Sequence, residues 1–123
     1  MQSAATRALR DDKHRAFQEE TLKEIQEALG VYVRYVLSAP RTVGLEATFT
    51  QAAELAEVGR RLSILKERVA DDGLRHHLDS LVHLSTGAVL TASEEESGRL
   101  KTAVLSRENQ AREAIGTALR AKY

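Results

Sequence analysis

The chain has 123 residues, with 18 basic and 18 acidic side chains and neither cysteine nor tryptophan. That length makes one domain with enough interior to fold unaided, and the missing cysteines exclude disulfides, thiolate catalysis and cysteine-held zinc. The balanced charge lacks the cationic excess with which proteins displace counterions from phosphate, so no nucleic-acid partner is expected.

No apolar stretch approaches the roughly 18 residues that span a bilayer. The longest candidate, residues 31–37, carries Arg34 in its middle. The first twenty residues are charged and have no apolar core of the kind that marks a signal peptide. A soluble, cytoplasmic chain is the expectation.

Residues 1–19 read as a polar helical extension or a frayed tail. From there Leu22, Ile25, Leu29, Tyr32 and Val36 recur in alternating steps of three and four, one stripe of a helix over about residues 20–39. Followed backwards, the same stripe meets Gln18, Arg15, Asp11 and Ala8, so it fades while helix propensity stays high. Gly30 costs this helix roughly 1 kcal/mol relative to alanine. Beyond it Val31, Tyr32, Val33, Tyr35, Val36 and Leu37 surround the helix with apolar groups. A strand is rejected, since no second such run exists to pair with it. The run reads as a helix end buried on more than one side, by the other helices or by a second subunit, and Pro40 stops it.

A second helix over about 46–71 has Leu55, Val58, Leu62, Leu65 and Val69 as its seam. The small residues Ala52, Ala56, Gly59 and Ser63 run beside that seam, which makes Gly59 a point of close helix contact rather than a breaker. At Asp71-Asp72-Gly73 either Gly73 takes a left-handed C-terminal position or Asp72 caps the next helix. The third helix, about 73–91, turns Leu74, Leu78, Leu81, Val82, Ala88 and Val89 to one face. Ser93-Glu94-Glu95-Glu96 then forms a capping box, and its acidic trio suits the positive end of a helix. The fourth helix, about 93–121, buries Leu100, Ala103, Val104, Ala111, Ala114, Ile115, Ala118 and Leu119. By helical rise the second and fourth are near 40 Å long and the third near 27 Å. Short turns between such helices describe an all-α, antiparallel up-down four-helix bundle over 20–123, with the polar extension projecting from it.

His76, Asp79 and His83 fall on one helical face at spacings used for metal ligands. That face lies opposite Leu74, Leu78 and Leu81, and the chain has no Glu-x-x-His of the kind that builds metal sites inside bundles. It reads as a solvated face, open at most to an adventitious or intermolecular ion, and no cofactor is expected. His77 reads as a packed boundary histidine, with a pH-responsive contact as the sharper alternative. Arg107 projects into the apolar stripe of the fourth helix, where it must snorkel, pair with a carboxylate or meet an anionic ligand.

Arg7, Arg10, Lys13 and Arg15, interrupted by Asp11 and Asp12, form with Arg60-Arg61 the positive concentrations of the chain. A basic cluster of this kind suits peripheral contact with anionic lipid, and with it the reading that the chain is the soluble part of a membrane-anchored protein. No serine or threonine has a histidine and carboxylate placed to activate it, and no phosphate loop is present, so an enzyme is not expected. The expectation is a non-enzymatic helical interaction module that self-associates or docks a partner helix. Its candidate interface is Tyr32, Val33, Tyr35, Val36 and Leu37. The alternative is a sensory bundle binding a small anion near Arg107.

Overall fold

The structure, a computed structural model, describes residues 4–39 and 45–120, with only the backbone at 45–47. Four helices make up the fold: α1 (Ala4–Ser38), α2 (Leu45–Lys66), α3 (Asp72–Leu90) and α4 (Glu94–Arg120). No strand occurs among the described residues, and the helices pack into the expected all-α four-helix bundle. Cross-links fix the up-down order. Gln18, midway along α1, reaches the turn after α2, Lys66 at the end of α2 meets Asp79 in the first half of α3, Ser97 early in α4 bonds Ala88 late in α3, and Lys101 reaches Leu37 at the end of α1.

Around the square, α1 packs on α2 and α4, and α3 packs on α2 and, most extensively, on α4. The diagonals are unequal. α1 touches α3, whereas α2 and α4 do not meet among the described residues. The core therefore concentrates on the α1–α3 diagonal, where Ile25, Leu29, Tyr32 and Val36 face Leu74, Leu78, Leu81 and Ser85, all essentially fully buried. Leu55, Leu62 and Leu65 close it from α2, and Val104, Ala111 and Ile115 from α4. Truncating one such leucine or isoleucine to alanine costs about 2–5 kcal/mol.

The small-residue line of α2 has a specific use. Gly59 is buried, and a Cβ there would lie 2.9 Å from Tyr32 Cε2, so the missing side chain is the space the tyrosine ring fills. Burial pushes the Tyr32 phenol above its ordinary value, and the neighbouring Ser85 hydroxyl partly offsets this. The two hydroxyls are neighbours without the alignment of a hydrogen bond, which leaves Ser85 Oγ without a partner among the described residues. Half-buried Tyr35 donates to Glu54 Oε2 at 3.1 Å, tying α1 to α2. Its phenol is also raised, first by burial and then by that carboxylate.

The helix ends differ in detail from the sequence reading. The first segment is helical from Ala4 rather than frayed, making α1 35 residues, or about 52 Å. α2 stops at Lys66, five residues early, because the backbone tightens into i→i−3 bonds from Arg68 N–H to Leu65 and from Val69 N–H to Lys66. It is therefore about 33 Å long rather than near 40 Å. Val69 still reaches the core, but from the turn. At the next start, Asp71 and not Asp72 is the cap, its carboxylate accepting from Leu74 N–H at 2.8 Å. Asp72 and Gly73 belong to the first turn of α3, where Asp72 pairs with Arg75, so Gly73 is not a left-handed terminus.

Half of the capping box at α4 forms. Ser93 Oγ accepts from Glu96 N–H at 3.2 Å, while Ser93 N–H turns to Thr91 Oγ1 and the Glu96 carboxylate to Arg99. α1 ends at Ser38, and the proline proposed to stop it, Pro40, lies outside the described residues.

Candidate functional site

Of the five residues proposed as an interface, Tyr32, Val33 and Val36 are buried in the chain's own core, and Tyr35 is half-buried against α2. Only Leu37, 37% exposed, faces outward. The apolar surplus at this end of α1 is absorbed inside the molecule, because α1 touches all three other helices and so buries more than one stripe. Val31, 58% exposed, is the apolar residue of this run left most open, and it lies outside the proposed set.

Arg107 is half-buried, and its Nη1 lies 3.1 Å from Nδ1 of His77 across the α3–α4 interface. A guanidinium only donates, so His77 must accept through an unprotonated Nδ1. Arg107 thus has a neighbour that its own helix does not reveal, the His77 ring on α3. Their pairing depends on the register of the α3–α4 hairpin, which Ser97 sets by donating to Ala88 O at 2.7 Å.

His76, Asp79 and His83 are exposed on α3, as the helical wheel places them. Asp79 is drawn 2.5 Å from Lys66 Nζ, and no group of three metal-ligating side chains forms among the described residues.

The opposite end of the molecule holds the more distinctive geometry. α1 enters the core only at Thr21 and Leu22, so the helix from Ala4 to Phe17 stands outside it, about 21 Å of rise. Every residue from Ala4 to Phe17 is exposed, including Leu9 at 63% and Phe17 at 47%. Gln18 is the hinge-pin that sequence reasoning missed. Its Nε2 donates to Arg68 O at 3.1 Å and its Oε1 accepts from Ala70 N–H at 3.3 Å, satisfying two backbone groups of the α2–α3 turn. The signal was present, since Gln18 occupies the seam register where the stripe turns polar.

Where the extension leaves the bundle, it overhangs a corner of about 630 Å³. Asp11, His14, Arg15 and Gln18 line its helical wall, while Leu22, Val69 and Ala118 form the apolar floor. Asp11 and Arg15 thus face along the bundle seam, not away from it. Among the described residues no helix is long and apolar enough to cross a membrane. Comparison with protein-family models, with curated proteins and with solved structures finds no match.

Proposed function

We propose that the chain is a non-enzymatic helical interaction module that self-associates or docks a partner helix through the N-terminal half of α1. One observation carries this reading: α1 extends about 21 Å beyond the packing that supports it. An isolated helix of fourteen residues is marginal in water, because nucleation costs more than a few turns return. A helix of that length standing clear of the core is best explained by a surface that covers it. The four-helix core then acts as a mount, and Gln18 fixes the angle at which the arm leaves it.

The alternative of an anion bound near Arg107 draws little support, since Nη1 of the guanidinium is already engaged by His77. The test is an Ala8→Pro/Lys13→Pro double variant, which breaks the helix of the arm, followed by light scattering and thermal unfolding. Both positions lie in the arm and outside the core, so the melting temperature of the bundle is expected to stay within about 2 °C of the parent, while association is lost. Unchanged association in the variant removes the extension from the interface.

A further inference from the structure

Resting on that reading, we infer that the partner of the extension is a second copy of this chain, the two extensions lying antiparallel, each in the other's corner. Reflected about Lys13, the face of the arm that carries Asp11 and Arg15 is self-complementary: Asp11 matches Arg15 and, at its flank, Arg7 matches Glu19. An antiparallel pair with its dyad at residue 13 therefore sets opposite charges against each other at these positions. A two-fold interface doubles every such contact, since residue i meets j and j meets i.

The corner selects the face of the arm available for this contact. Asp11 and Arg15 both line the corner, one turn apart on the same side of α1. Lys13, which would otherwise face its own copy at the dyad, is about 200° around the helix from each of them and so points away, with Leu9 and Phe17 about 40° to either side of it. In this register Ala8 lies against the partner's Gln18 and Ala4 against the partner's Leu22. The small tip of each arm thus enters the apolar floor of Leu22, Val69 and Ala118. The salt bridge that Arg15 makes within its own helix, 3.8 Å to Asp12, is exposed and weak enough to be exchanged. A contact of half a helix per chain is at the small end of specific interfaces, so the dimer is a reversible one.

Sedimentation equilibrium on the full chain tests this, with Asp11→Arg, Arg15→Asp and the double exchange Asp11→Arg/Arg15→Asp. Far-ultraviolet circular dichroism verifies that each variant keeps its helix. The parent is expected to dimerise reversibly, and more weakly at about 1 M salt than at about 0.1 M, as the screening length shrinks from about 10 Å to about 3 Å. Each single reversal turns two attractive pairs into two repulsive ones and is expected to raise the dissociation constant about tenfold or more. The double exchange restores the opposition and returns it to near the parent value. A parent that dimerises while the single variants do so equally well, or a double variant that fails to recover, overturns the corner interface and leaves self-association standing. A parent that is monomeric at every concentration overturns the second copy as occupant and gives the corner to a helix of another protein or to an anionic bilayer.

Discussion

Gly59 and Tyr32 are the pair on which the α1–α2 contact turns. The tyrosine ring is 1% exposed and has no room to retreat from a methyl group placed 2.9 Å away. Gly59→Ala is therefore expected to lose about 1–3 kcal/mol in urea unfolding, despite the better helix propensity of alanine. Gly98 is the control, since a Cβ there meets nothing within 4 Å, and Gly98→Ala should gain up to about 1 kcal/mol. If both substitutions shift stability the same way, the close contact is not what Gly59 provides. The same tyrosine sets an alkaline limit. Its phenol is raised in the fold, so its contribution is intact below the ordinary phenol value of about 10 and is lost as pH rises through the higher folded value. Melting temperature should fall above about pH 10, and less steeply in Tyr32→Phe. An identical fall in that variant would place the alkaline loss elsewhere. Gly59 was legible because small residues beside a seam signal close approach. Arg107 was legible only as a problem, since its answer sits thirty residues away and depends on hairpin register.

At the scale of the helices, the hydrophobic phasing located all four, but their ends followed local hydrogen bonds that phasing does not contain. The period of α2 runs on to Val69, whereas its backbone has already tightened after Lys66 and delivers Val69 to the core from a turn. The restart at Asp71-Asp72-Gly73 offered two carboxylates in succession. Only the one three residues before Leu74 can accept that amide, which makes Asp71 the cap and leaves Asp72 to Arg75. Asp71→Ala should cost about 1 kcal/mol, the usual value of an N-cap, and Asp72→Ala much less. Equal losses in thermal unfolding would mean that the two share the cap. The half-formed box at Ser93 makes a similar point: four residues can match a motif while one of its two bonds goes to a neighbouring threonine.

For the whole molecule, the bundle was legible because its seams demand four mutually packed helices. The site was legible only in part. A helical wheel counts apolar residues on a face but not the neighbours that face will have. The surplus around Tyr32, Val33 and Val36 accordingly suggested an external surface, where the short α1–α3 diagonal in fact buries it. The opposite end of α1, where the seam fades, is the end left uncovered, and three of its polar residues, Asp11, His14 and Arg15, line a corner of the bundle. The molecule is thus a packed mount carrying one unsupported arm, and the account holds that the arm is covered when two chains meet. Amide hydrogen exchange over residues 5–16, followed as protein concentration is raised, tests this most directly, because an arm without tertiary support opens at little cost and gains protection only when covered. The account predicts that exchange in this segment slows as concentration rises while α3 and α4 stay unchanged. Exchange over 5–16 that is the same at every concentration would contradict it.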